Sequence, residues 1–160
     1  MSDHFPGEIR IGGPIPRAAL KALVRAAAQE GASLEGYGGP AADRDALRQA
    51  FREGAIVTLY DDQARYGEFD GLEAFLVRHR IHFDRHSEAF CEYNAEIVSY
   101  RGGQEAVALP ADQSGHIMLC WEEVVGILDD QALADRAKLD AIRRLVNRPA
   151  TEPLAPIRFI

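Results

Sequence analysis

The chain has 160 residues, of which 47% are hydrophobic and 27% are charged. This length fits one domain, which buries about two-thirds of its unfolded surface and needs neither a metal nor a disulfide to fold. The formal net charge of -7 argues against non-specific nucleic-acid binding, because that requires a basic surface.

Segments that direct export or membrane insertion are not apparent in the sequence. No apolar run approaches the roughly 20 residues that span a bilayer, and the first ten residues, MSDHFPGEIR, lack the basic and apolar regions of a signal peptide. A cytoplasmic location is therefore expected. The two cysteines, Cys91 and Cys120, form no Cys-x-x-Cys motif and are predicted to be reduced thiols, with Cys120 facing the core.

Apolar periodicity and turn residues predict alternating strands and helices in the first half of the chain. In chain order these are a strand at 8–11, a helix over 17–30, a strand at 33–37, a helix over 44–53, a buried strand at 55–60, a polar loop over 61–69, a helix capped by Asp70 and a strand at 81–85. Asp43 is expected to cap the second helix, and Gly31 and Gly54 are expected to end the first two.

The second half predicts a different arrangement. Short apolar runs at 94–100, 105–110 and 115–120 are separated by turn residues, which is typical of an antiparallel meander. A helix over 121–128 and a longer helix, capped by Asp130 and ending near Asn147, follow. The tail contains three prolines and is predicted to be non-helical, with its apolar end docked on the domain or on a partner.

The fold class predicted from these elements is α+β. The segments 9–34 and 57–83 both run strand, turn, helix and strand. Two such units form a split βαβ, or ferredoxin-like, layer with helices mainly on one face of a mixed or antiparallel sheet. We therefore predict a single α+β domain over 1–148, in which the meander and last helices follow this layer, and a proline-rich tail over 149–160.

Acidic residues are concentrated at 41–100, where twelve Asp and Glu accompany seven Arg. The predicted loop of this region combines carboxylates with two aromatic side chains: Asp61, Asp62, Tyr66, Glu68, Phe69 and Asp70. An acidic patch with protruding aromatic anchors suits a basic protein partner, because opposite charge steers the encounter. The alternative is that these charges only keep the protein in solution.

The stretch HRIHFDRHSEAF, at 79–90, contains three of the five histidines. On a strand, alternation places His82, Asp84 and His86 together on the face opposite the core. Side chains two residues apart on a regular strand are about 7 Å apart, whereas zinc–nitrogen bonds are about 2 Å long. A metal site would therefore need further ligands from elsewhere, and the polar face of a strand is the simpler interpretation.

Other motifs for catalysis are weak. Asp61 and Asp62 follow a buried strand, where magnesium sites occur, but no P-loop or GxGxxG accompanies them. Asp112, Ser114 and His116 alternate along one segment and lie side by side, whereas a catalytic triad requires convergence. A hairpin turn explains these three residues.

Two classes of function stay open. The first is a non-enzymatic interaction module that binds a basic protein surface, of which an inhibitor of a nucleic-acid-binding complex, as phages and mobile elements encode, is one form. No cofactor, direct nucleic-acid contact or membrane contact is expected. The alternative is a small metal-dependent hydrolase or nuclease that uses His82, Asp84 and His86. A homodimer through the open sheet face or an edge strand is a third possibility.

Overall fold

A computed structural model of the chain describes residues 3–89, 94–112, 114–146 and 152–160. The strands in these ranges are β1 (His4–Gly12), β2 (Pro14–Ile15), β3 (Val57–Arg65), β4 (His82–Ser87), β5 (Ala95–Tyr100), β6 (Val107–Ala111) and β7 (Arg158–Phe159). The α-helices are α1 (Leu20–Glu30), α2 (Arg44–Arg52), α3 (Asp70–Arg78), α4 (Trp121–Asp129) and α5 (Asp135–Val146). The predicted α+β class is confirmed.

Five strands form one antiparallel sheet in the order β3-β1-β4-β5-β6. Ile9 of β1 lies opposite Leu59 of β3 on one side and opposite Arg85 of β4 on the other, which fixes the register. The short strands β2 and β7 pair in parallel as a second sheet.

The ferredoxin-like part of the prediction is not confirmed. Its first unit lacks the expected strand at 33–37, which contributes only a single bridge between Ser33 and Tyr60. Gly36 and Gly38 adopt φ values of 110° and 73°, and this conformation interrupts an extended strand. The chain then enters α2 before it returns to the sheet as β3.

The polar loop predicted at 61–69 begins later in the structure, because β3 continues to Arg65. Its polar end pairs with the first residues of β1, and Ala64 lies opposite Phe5. Pairing with β1 thus overrides the low strand propensity of these residues. Asp70 is the first residue of α3 and not its cap, and the preceding Phe69 provides no side-chain cap.

The main core lies between the sheet and the first three helices. Apolar side chains of α1, α2 and α3 pack against those of the inner strands: Leu23, Val24, Leu47, Phe51, Leu72 and Leu76 meet Ile9, Ile11, Leu59 and Phe83. Each fully buried side chain of this size contributes about 1.5–3 kcal/mol. By contrast, α4 has no buried residue.

The region after β6 also differs from its prediction. Residues 115–120 form no strand beyond one bridge between Ala111 and Ile117. Cys120, expected to face the core, is exposed. Cys91 lies outside the described residues.

Candidate interaction surfaces

Exposed apolar side chains are concentrated between β6 and the end of α4. Trp121 is 71% exposed, and Ile117, Met118, Leu119 and Leu128 are exposed with it. We call these five residues the α4 surface. Large apolar side chains grouped in this way mark an interaction site more often than those scattered singly over a surface.

The sequence of α4 accounts for its apolar stripe. Trp121, Val124, Val125 and Leu128 follow the i, i+3, i+4, i+7 spacing that places side chains on one side of a helix. A helix with such a stripe ordinarily buries it against the core, yet no residue of α4 is buried against the described part of the chain. Trp121 and Leu128 of this stripe are exposed, whereas Val124 and Val125 are half-buried.

A concave feature adjoins the α4 surface. It is a cavity of about 210 Å³ between β6, the segment before α4 and α5. Apart from Glu123, its lining residues are apolar: Leu109, Pro110, Ile117, Met118, Leu119 and Leu145. Side chains that dominate binding energy at protein interfaces are commonly seated in pockets of this kind.

The sequence around the α4 surface is acidic, although Lys138 of α5 donates to the backbone oxygen of Leu128 at 2.6 Å. The stretch 102–135 contains no Lys or Arg and seven acids: Glu105, Asp112, Glu122, Glu123, Asp129, Asp130 and Asp135. The backbone and ring of His116 hydrogen-bond to Asp112 and lower the pKa of its carboxyl. The Cys120 thiol donates to Glu122 at 3.0 Å and lowers that pKa as well. Both carboxylates are therefore charged at neutral pH.

The residues of the predicted acidic and aromatic patch do not form the single exposed loop that the sequence predicts. Asp61 and Asp62 lie on β3. Phe69 is 1% exposed, so it does not protrude as an anchor: it packs in the core beneath the start of α3. Tyr66 adopts a φ of 55° at the turn that follows β3, and Asp70 belongs to the first turn of α3.

The remaining residue of the patch, Glu68, belongs to an ion network that sequence reasoning missed. Arg85 is only 5% exposed, and its Nη2 lies 2.9 Å from Glu96 Oε1 and 3.8 Å from Glu68 Oε1. Its Nε lies 3.0 Å from Glu73 Oε1 without hydrogen-bond alignment. Its guanidinium also donates to the Ser87 hydroxyl.

The ion network around Arg85 has a structural role. Burial raises the pKa of the Glu68 carboxyl, and Arg85 opposes that shift. The negative charges of Asp70 and Glu73 add to the rise. Three carboxylates thus compensate one buried guanidinium, which would be costly without partners. Alternation along β4 places Arg85 on the same face as Phe83, which faces the core. The burial of Arg85 could therefore have been predicted from the sequence.

The three residues of the metal alternative share a face but do not converge. Asp84 is engaged by Arg101, whose Nη2 lies 2.8 Å and 3.0 Å from its two carboxylate oxygens. The His82 ring packs against Gly13 and Gly102. His86 Nε2 is buried without a hydrogen-bond partner among the described residues. In the described ranges no group of three or more His, Cys, Asp or Glu side chains is placed to hold a metal ion.

The Asp112, Ser114 and His116 segment is a turn, as its sequence predicts. Asp112 Oδ1 accepts from the backbone N–H groups of Ser114 and His116, both at 2.8 Å. The His116 ring lies 3.0 Å from Asp112 Oδ2, and the histidine is exposed. The three residues form a local hydrogen-bonded loop without triad geometry.

No protein-family model, curated protein or solved structure matches the chain. Within the residues that the structure describes, no helix has the length and apolar character needed to cross a membrane.

Proposed function

We propose that the protein is a non-enzymatic interaction module that binds a protein partner through the α4 surface. The observation that carries this proposal is the exposure of Trp121 beside other large apolar side chains. Tryptophan is enriched among the few residues that dominate binding energy at protein interfaces. The adjoining apolar cavity provides a place for an anchoring side chain of the partner.

The acidic surroundings favour a partner with a basic surface. Seven carboxylates and no Lys or Arg over 102–135 attract a positively charged protein and repel an acidic one. The predicted acidic residues Asp61, Asp62 and Asp70 add to the same net charge. Because exposed charges are screened by salt, the association rate should fall as ionic strength rises.

The acidic charge also fits one particular form of the module, an inhibitor of a nucleic-acid-binding complex. Proteins of that class expose basic grooves for the phosphate backbone. An acidic protein with an apolar anchor competes for such a groove and adds contacts that nucleic acid does not make. Nucleic acid itself is not expected to bind, since the net charge is -7.

The test is affinity capture from the native host with wild-type protein and Trp121→Ala. We expect one stoichiometric partner with the wild type and a loss of at least about 2 kcal/mol of binding energy, roughly 30-fold in affinity, with the variant. Val77→Ala is the matched control, because Val77 is an exposed apolar residue on α3.

Retention of the partner by Trp121→Ala would contradict the proposal. In that event Asp61→Asn together with Asp62→Asn would show whether the acidic residues of β3 provide the contact instead. Circular dichroism of each variant verifies that the fold is retained, which is expected because all the substituted residues lie outside the core.

A further inference from the structure

A groove lined by cations lies beside α1 and the start of α2, although the molecule is acidic. It encloses about 340 Å³. Four of its seven lining residues are basic: Ala18, Lys21, Ala22, Val24, Arg25, Arg44 and Arg48. Both helices contribute their pair of cations at i, i+4 spacing, so that the charges line up along each helix.

Most of this positive charge has no counter-ion among the residues that the structure describes. Arg48 pairs with Asp45 one turn earlier on α2. Lys21, Arg25 and Arg44 form no ion pair with any residue that the structure describes. Like charges held close together are unfavourable, and an anionic group placed in the groove relieves that repulsion.

The groove also provides apolar contacts. Ala18 and Ala22 contribute small exposed apolar side chains to its lining, whereas Val24 belongs to the core beneath it. An occupant that matches the whole groove therefore combines carboxylates with apolar side chains. The α4 surface has this composition, because its exposed apolar residues are accompanied by acids and by no Lys or Arg over 102–135.

We infer that the groove is occupied by the α4 surface of a second copy of this chain. The inference rests on the proposed function, since it names the partner that the α4 surface contacts. The two faces that meet are different, so the association is head-to-tail. Such an interface builds chains of molecules unless the rotation between copies closes a ring.

Sedimentation equilibrium of the full chain tests this inference with two charge reversals. One is Arg25→Glu with Arg44→Glu in the groove, and the other is Glu122→Lys with Asp129→Lys on α4. We expect the wild type to associate with rising concentration at low salt. Each double variant should associate at least about tenfold more weakly, because like charges then face each other across the interface.

Mixing the two double variants gives a sharper result. Each variant retains one intact face, and the intact faces are complementary. The reversed faces of the two variants also carry opposite charges, so the mixture should regain the association that each variant has lost alone. A chain carrying all four substitutions exchanges the two charges and should self-associate again, which a merely unfolded variant would not do.

The matched control is Arg52→Glu with Arg78→Glu. It changes the net charge as much as the groove variant does, at exposed positions on α2 and α3 that do not line the groove. This control should associate like the wild type, which separates the local contact from the effect of total charge.

A wild type that stays monomeric at low salt at every concentration would overturn the inference, as would association unaffected by both reversals. If the wild type is monomeric and Trp121→Ala still loses a captured partner, the proposed function stands and only the self-association fails. If neither binding is observed, both fail. A captured acidic protein that is lost with the groove variant would assign the groove to a different partner.

Discussion

At the scale of single residues, Glu30 illustrates how an acidic side chain supports the fold from a distance. Its Oε1 accepts the backbone N–H of Leu72 at 2.7 Å and so caps α3, whose preceding residue has no capping side chain. We expect Glu30→Ala to lower the free energy of unfolding by about 0.5–2 kcal/mol, and Glu30→Gln, which keeps an acceptor oxygen, to lower it much less. Urea unfolding followed by circular dichroism measures both.

The same residue predicts a dependence on pH. Burial, with Asp70 and Glu73 adding to it, raises the pKa of Glu30 above its usual 4.5 despite the Leu72 hydrogen bond. The folded state then binds this proton more tightly than the unfolded state does, so protonation of Glu30 stabilises the fold. This contribution is fully present below pH 4.5 and is lost as the pH rises through the folded pKa. Glu30→Gln does not titrate, and its stability relative to wild type should be highest at neutral pH and decline on acidification. A difference that does not vary with pH would contradict this account.

At the scale of elements, the end of the tail acts as part of the core. Ile157 is 7% exposed within the main hydrophobic cluster, and β7 pairs with β2 beside it. We expect Ile157→Ala to lower the free energy of unfolding by about 2–5 kcal/mol, because it leaves a cavity. Ile160→Ala is the control, since Ile160 is 64% exposed. Equal stability of the two variants in urea would show that the tail does not support the fold.

Elements whose pattern is local were predictable from the sequence. The helices α1, α2 and α4 and the strands β4 and β5 carry their own periodicity and lie close to their expected positions. The strand expected at 33–37 and the true length of β3 were missed. Both depend on glycine conformation and on pairing with distant strands, which local propensity does not report.

The candidate site was predictable only in part. The charge pattern and the single tryptophan are visible in the sequence, but the exposure of Trp121 depends on what the rest of the chain covers. The same holds for Phe69, which could serve as an anchor only if it protruded and is buried. Burial is a property of tertiary packing, which composition alone does not report.

At the scale of the whole molecule, the region around the first three helices is packed more completely than the region around α4. The first three helices bury their apolar faces against the sheet, whereas α4 buries no residue. The acidic stretch around α4 and the basic groove beside α1 also give the molecule surfaces of opposite sign. An interaction module needs such a division, because the core maintains the shape of the surface that binds.

The most direct test of the account is the fluorescence of the single tryptophan, which reports only on Trp121. In dilute protein we predict the emission of an indole in water and ready quenching by acrylamide, because Trp121 is 71% exposed. When a partner or a second copy binds, the emission should shift to the blue and quenching should fall. A blue-shifted, protected tryptophan in the most dilute protein would contradict the account, because the α4 surface would then be covered within a single chain.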